Sequence, residues 1–384
     1  MDFNFTDEQE LLVDSIKEYA ERYWSPEQVK QMYADHKPSQ EAVTAYRDAG
    51  FVYMGLPEEV GGVPCDKTTL VLMCEKLHYY CGAVLPFQTE INSITDITDF
   101  GTPEQAAKIM ECVKEENLIA ACTSISEPGA GSDNNAMTCV TKKQPDGTYL
   151  LNGQKTWVTL GEYAQYAIVI AKDEDPSYEN KNYSLWMVHK DAPGYSTGSL
   201  HKIGQEIVPF CDQFFDNVVL TEADRIGPEG QGWKLLMKKF EFERVLVVAQ
   251  ALGEAQAVMD DAGAYVSERI CFGKPIANIA AIQQHLVEME VTLQNVRTQL
   301  YRTVSMLDSG ESIRLECALL KYYACPKLVE VADRALKIYA ALGYTDEVRI
   351  GRIWKDLRGY EMAGGTPEVM SYIAGRQLVK KYKK

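Results

Sequence analysis

Apolar residues recur at helical spacing over the first part of the chain, give way to strand-like runs, and then return to helical spacing. Near the N-terminus Leu12, Ile16 and Tyr19 fall on one helical face. Thr6 and Gln9 precede them at the spacing of a capping box, which predicts a helix start there. The stretches DKTTLVLMCEKLHYYCGAV and TPEQAAKIMECVKEEN continue the helical pattern, and Thr102-Pro103 opens the second in the N-cap and first-turn positions.

The texture changes near Leu118. QPDGTYLLNGQKTWVT holds an Asp146-Gly147 turn followed by residues that favour strands. YAIVIAK, YSLWMVHK and CDQFFDNVVL follow, separated by Gly, Pro, Asp and Asn clusters. With no long helices between these runs, the segment predicts an all-β unit rather than a parallel Rossmann sheet. From Trp233 onward long amphipathic stretches return, broken at CFGKP, DSGES and ALGYTDEV, which predicts a four-helix bundle. The expected division is an all-α unit over 1–120, an all-β unit over 121–228 and a second helical unit over 229–384.

Composition narrows the partners. The 384 residues are 46% hydrophobic, enough for more than one core, and 55 acidic residues against 39 Lys and Arg give a net charge of −16. So negative a surface repels phosphate backbones and argues against nucleic acid. No apolar run approaches the ~18–20 residues that span a bilayer, and the acidic start MDFNFTDEQE is unlike a signal peptide. Ten scattered cysteines without a CxxC pair suggest reduced thiols, and five histidines without paired spacing argue against a metal centre. These features together predict a soluble cytoplasmic protein.

Two stretches in the β unit carry chemistry. SISEPGAGSDN, Ser124 to Asn134, sets Pro and Gly residues that let backbone amides approach a ligand beside the polar groups of Ser126, Ser132 and Asp133. LNGQKTWVT, Leu151 to Thr159, then offers Trp157 to stack on a flat ring and Thr159 to hydrogen-bond it. Taken singly, the first is an ordinary surface loop and the second a core tryptophan. Together with RICFGKPI, GGTPEV and the opening TDEQELL, in this order and spacing, they resemble the acyl-CoA dehydrogenase family over essentially the whole chain.

That resemblance implies a helical domain, a middle β-barrel and a four-helix bundle, assembled as a homotetramer with FAD between subunits. It implies interconversion of an acyl-CoA and its 2,3-enoyl-CoA, with an electron-transfer flavoprotein as partner. Residue by residue it assigns Ile125 and Ser126 to the flavin edge, Gly131 and Ser132 to flavin and the pantetheine arm, and Trp157 and Thr159 to the ring system. Arg269 and Phe272 match residues that reach the ADP half of a neighbour's FAD, and an Arg fork suits its pyrophosphate. Thr366 and Glu368 match the last cofactor-binding turn. Lys337, Ala340 and Ala341 stand where the family has a glutamine and two glycines, and Ile279-Ala280 where it has Phe-Gln.

Acyl-CoA chemistry of this kind needs a carboxylate facing Cα and donors to the thioester oxygen. Most members carry the base just before the Gly-Thr of the last motif, and here that position is Gly364. A minority place it on the first bundle helix before an arginine, which is Glu243 followed by Arg244 in KFEFERVLVVAQ. The resemblance therefore assigns the catalytic base to Glu243, against the plainer reading of a helix-surface glutamate in i,i+4 pairs. Glu241, Arg244, Gly364 and Gly365 fall where the family meets substrate, although a surface charge pair fits Glu241 and Arg244 nearly as well. The Gly-Gly turn with the Glu-Arg pair most resembles crotonobetainyl-CoA reductase-like members, which run in the reducing direction. An acyl-CoA oxidase and a non-catalytic flavoprotein on the same scaffold are the alternatives.

Overall fold

A computed structural model of the protein describes residues 4–115, 118–174 and 182–383. The N-terminal helices are α1 (Asp7–Tyr23), α2 (Pro26–Asp35), α3 (Gln40–Asp48), α4 (Lys67–Cys81), α5 (Phe87–Phe100) and α6 (Pro103–Lys114). Their starts follow from side chains. Thr6, Ser25 and Thr102 each form a reciprocal capping box with the residue three positions on, which satisfies amides that have no intrahelical partner. Helix α6 stops before the end of TPEQAAKIMECVKEEN, whose last two positions, 116 and 117, lie outside the described residues.

The middle unit comprises β1 (Ile119–Ser124), β2 (Val140–Lys143), β3 (Tyr149–Thr159), β4 (Ala164–Asp173), β5 (Tyr183–His189), β6 (Tyr195–Leu200), β7 (Phe210–Leu220) and β8 (Arg225–Ile226). The hydrogen-bonded path runs β6-β7-β3-β2-β4-β5-β8, and β1 joins by pairing with β4. The expected barrel is therefore not a closed sheet among the described residues. Closure would need β6 to meet β8, and neither strand suits that pairing. β6, YSTGSL, is polar and half-buried to exposed on both faces, while β8 has two residues before the chain turns towards the bundle. The sheet is mostly antiparallel, but β1 and β2 both pair with β4 in parallel.

Helix α7 (Gly232–Glu268) follows, then a small hairpin of β9 (Ile270–Cys271) and β10 (Lys274–Pro275). Helices α8 (Ala280–Asp308), α9 (Arg314–Tyr339), α10 (Ile350–Tyr360) and α11 (Pro367–Tyr382) complete the bundle. The run Val245–Leu252 is buried on every side, as expected of a helix enclosed by neighbours; α4 packs on one side of α7 and α9 on another. The contact with α4 is so close that a Cβ on Gly253 would stand 2.2 Å from Glu75 O.

Helix α5 is pinned to both of its neighbours by one buried acid. Glu90 accepts from Arg47 on α3 at 2.9 Å and from the Ala120 amide of β1 at 2.6 Å. That fixes the α5 face that looks towards the first turns of α7, and the three units enclose a cavity where they meet.

Candidate active site

The cavity has a volume of about 640 Å³, within the usual range for small-molecule clefts. Several pieces of chain wall it, the β6–β7 connection from His201 to Val208 among them. Helix α7 contributes Leu236, Phe240, Glu243, Val247 and Gln250, successive positions on one helical face. Thr89, Asn92, Ser93 and Asp96 come from α5, Ile125, Ser126 and Thr156 to Thr159 from the sheet, and Gly359 to Gly364 in part from the end of α10 and the following turn.

The sheet side is built around a buried ion pair. Lys155 Nζ lies 2.8 Å from Glu127 Oε1 and donates to Ile125 O at 2.9 Å. Glu127 also accepts from the amides of Thr138 and Cys139. Burial works against its charge, but Lys155 and these donors outweigh it and hold the carboxyl below its ordinary value. The loop carrying Ile125 and Ser126 is thereby tied to β3, and the Thr156 amide donates to Ser126 O at 2.9 Å.

Trp157 is displayed by an irregularity in β3. The pairing of β3 with β7 shifts register between Lys155 and Val158, and Trp157 adopts φ 59°, uncommon for a bulky residue. Bulges re-aim side chains in this way. The indole stays 59% exposed on the cavity wall instead of entering the core. A flat, accessible aromatic face beside Thr159 and Ser126 fits a flat heteroaromatic ring.

Opposite the sheet, Glu243 is half-buried on the wall, and burial raises its carboxyl above the ordinary carboxylate value while Arg244 and Lys321 oppose the rise. Gly364 faces it. The backbone there has φ 62°, and a Cβ at this position would stand 3.9 Å from Glu243 Oε1. Arg244 Nε donates to Gly364 O at 3.0 Å, and the Gly364 amide makes no backbone hydrogen bond among the described residues. Of the wall residues described, Glu243 and Asp96 are the carboxylic acids. Glu361 lies off the wall, paired with Arg358 at 2.8 Å.

Lys321 and Asp96, neither of them in a motif, also bear on the site. Lys321 of α9 is 1% exposed and donates to Tyr360 O, Glu361 O and Gly365 O, at 3.2, 3.2 and 2.7 Å. It clamps the end of α10 and the glycine turn beneath Glu243. Asp96 carries the second acid. The sequence offered no signal for either.

The structure gathers Ile125, Ser126, Trp157, Thr159, Glu243 and Gly364 around one cavity. Arg244 and Gly365 stand behind the wall, through the bonds to Gly364 and from Lys321. Gly131 and Ser132 are exposed outside it, and Glu241 is half-buried with its carboxyl raised by burial. Arg269 and Phe272 lie on the β9–β10 hairpin, exposed, with Phe272 at φ 52°. Lys337 is ion-paired with Asp333 at 2.7 Å. Thr366 caps α11 by accepting from the Val369 amide, and Glu368 is exposed. None of these eight residues, Glu241 among them, lies on the cavity wall.

The described residues hold no group of three His, Cys, Asp or Glu able to bind a metal ion, and no helix long and apolar enough to cross a membrane. All ten cysteines are free.

Comparison with known proteins bears on this geometry. Residues 6–115, 122–218 and 230–379 match the family descriptions "Acyl-CoA dehydrogenase, N-terminal domain", "middle domain" and "C-terminal domain". The chain is 37% identical over 382 residues to "Probable acyl-CoA dehydrogenase YdiO" of Escherichia coli strain K12, covering 100% of this chain and 99% of that protein. Butyryl-CoA dehydrogenase from Megasphaera elsdenii superposes with a TM-score of 0.92 at 27% identity, over 99% of this chain and 100% of the other. A structure named "Electron transferring flavoprotein of Acidaminococcus fermentans: Towards a mechanism of flavin-based electron bifurcation" gives 0.91 at 27% identity, again over 99% and 100%.

Proposed function

The chain belongs to the acyl-CoA dehydrogenase family, and from that premise we propose an FAD-dependent oxidoreductase that interconverts an acyl-CoA and its 2,3-enoyl-CoA, with Glu243 as the base at Cα. The observation that carries this reading is the meeting of Glu243 with Gly364. An acid on α7 fills the space beside a glycine at the position where most relatives keep theirs.

FAD held beside Trp157 would supply the exchange of a hydride with Cβ. Ile125, Ser126, Trp157 and Thr159 would hold its ring system. Gly131 and Ser132 would face the pantetheine arm, and Lys337, Thr366 and Glu368 would complete the cofactor contacts. In a homotetramer the exposed hairpin bearing Arg269 and Phe272 would serve a neighbouring copy's ADP half. Glu243 removes the Cα proton in the oxidising direction and returns it in the reducing direction. Its raised carboxyl suits both roles, since it makes the carboxylate a stronger base at Cα and keeps more of the acid form that returns the proton. The free Gly364 amide would donate to the thioester oxygen as charge grows there, with Arg244 and Lys321 fixing the turn that carries it. Glu241 and Gly365 complete the substrate side.

The proposal extends to the reducing direction, as an enoyl-CoA reductase served by an electron-transfer flavoprotein. The likeness to a structure carrying that partner's name supports the partner. The division at 1–120, 121–228 and 229–384 belongs to the same reading.

Glu243→Gln tests the assignment. The purified variant should remain yellow, with flavin bleaching by acyl-CoA slowed on the order of 10²–10⁴-fold. Turnover near the wild-type rate would remove Glu243 from the role, and a wild-type protein that takes up no flavin would overturn the flavoprotein reading itself.

A further inference from the structure

Helix α5 presents Thr89, Asn92, Ser93 and Asp96 to the cavity, one polar helical face in a wall otherwise lined nearby by Val84, Leu85 and Leu236. Asp96 is 4% exposed. Its Oδ1 has no hydrogen-bond partner among the described residues, and Oδ2 has Thr123 Oγ1 at 3.5 Å. That hydroxyl is contested. Thr123 Oγ1 lies 2.9 Å from Ser93 Oγ, and Ser93 Oγ lies 3.1 Å from Thr89 O. Two hydroxyl protons thus serve three acceptors, so at most one weak protein bond reaches a carboxylate able to accept about four.

Charge does not make up the deficit. Lys239, whose field favours the ionised Asp96, is itself engaged with Asp99 at 2.6 Å, while Glu243 and Asp99 act against ionisation. Burial, the largest cause, pushes the Asp96 carboxyl up to about 7. A buried acceptor left this poorly served is costly, and it stands where a ligand can serve it.

We propose that Asp96, with Asn92 and Ser93, forms a polar subsite for the acyl chain and selects acyl groups that present a hydrogen-bond donor or a cation over plain alkyl chains. The proposal rests on the functional reading above, because Asp96 and Glu243 line one cavity and the acyl chain would run between them. An unsubstituted chain would cover Asp96 and give it no partner, and sites built to bond a substrate group discriminate strongly against analogues that lack it.

The test uses the flavin-loaded protein and four-carbon acyl-CoAs that are unsubstituted, hydroxylated at C4 or aminated at C4. Flavin bleaching gives kcat and KM, and calorimetry gives binding. Wild type should prefer a substituted chain by at least about tenfold in kcat/KM, mostly through KM. Asp96→Asn and Asp96→Leu should shrink that ratio towards one or reverse it. Thermal melting checks that each variant folds, and the isosteric amide serves if the leucine does not. Preference for the hydroxyl identifies a neutral donor and preference for the ammonium a cation; either supports the subsite. A wild type that favours the unsubstituted chain, or a ranking identical in wild type and the amide variant, overturns it. If no acyl-CoA bleaches the flavin or binds, the functional reading itself has failed and the subsite with it.

Discussion

Gly364 faces the proposed base, and its surroundings allow that arrangement to be tested. An added Cβ would meet Arg244 Cγ at 3.6 Å, Lys321 Cε at 3.8 Å and Glu243 Oε1 at 3.9 Å, all ordinary contacts. The cost of Gly364→Ala is therefore conformational: φ 62° costs an L-residue about 1 kcal/mol, read as a lowered unfolding temperature. A carboxyl grown from the same position would enter the volume Glu243 occupies. Gly364→Glu placed on Glu243→Gln should recover at least about tenfold of the lost bleaching rate, because a positioned base contributes 10²–10⁴-fold. No recovery would mean that the base must approach from α7. The pairing of a vacancy at 364 with an acid at 243 was legible in the sequence, since both are residue types at motif positions. Lys321 was not, because its acceptors are carbonyls that only the folded end of α10 brings together, and a lysine within LECALLKYYAC is ordinarily a solvated one. Asp96 was invisible for a similar reason: what marks it is a missing partner.

Among the elements, long periodic stretches were the legible ones. The all-α, all-β, all-α order followed from the change of period alone, and the strands named from their composition correspond to β3, β4, β5 and β7. The strands that escaped notice are short or polar. β2 and β8 have four and two residues, β6 is mostly Ser, Thr and Gly, and β1, IAACTS, is a buried run without alternation. The two parallel pairings with β4 could not be read either, since each joins residues well separated in the chain. The Lys155–Val158 shift in β3, which displays Trp157, depends on register and not on composition. At the end of α9 the departure noted in sequence has a structural consequence. Ala340 occupies φ 53°, ψ −132°, a region that glycine enters freely and alanine enters at a cost of 1–3 kcal/mol. Ala340→Gly relieves that strain and loses part of the gain to the extra freedom of the unfolded chain. The expected net effect is stabilisation by about 1 kcal/mol, seen as a higher denaturant midpoint; a lower midpoint would show that the alanine is held without strain.

Across the whole molecule, a buried polar network joins the three units just below the cavity. Asp356 of α10 accepts from Tyr33 Oη of α2 and from the Gln205 amide of the β6–β7 connection. One turn along α10, Tyr360 Oη donates to Glu254 Oε1 of α7 at 2.6 Å, while Glu254 Oε2 has no partner among the described residues. Burial raises the carboxyls of both acids, and Asp356 raises Glu254 further. Burial therefore favours the neutral acid at Glu254 in the folded chain, and this has a signed consequence for stability. A carboxyl whose folded pKa lies above its unfolded one binds its proton more tightly in the folded state. Its contribution is complete below the ordinary value of 4.5 and declines as pH rises from there towards the folded pKa, by at most about 1.4 kcal/mol per pH unit. Glu254→Gln keeps a neutral side chain of the same shape at every pH. The variant should melt at or slightly below the wild type at pH 5 and above it at pH 8, where the wild type must hold a proton against solution. Parallel melting curves across that range would show that Glu254 is ionised in the fold, with Arg352 acting on both acids and Lys202 on Asp356. The same network contributes Gln205 and Tyr360 to the cavity wall, so a loss of stability in it reaches residues that line the site.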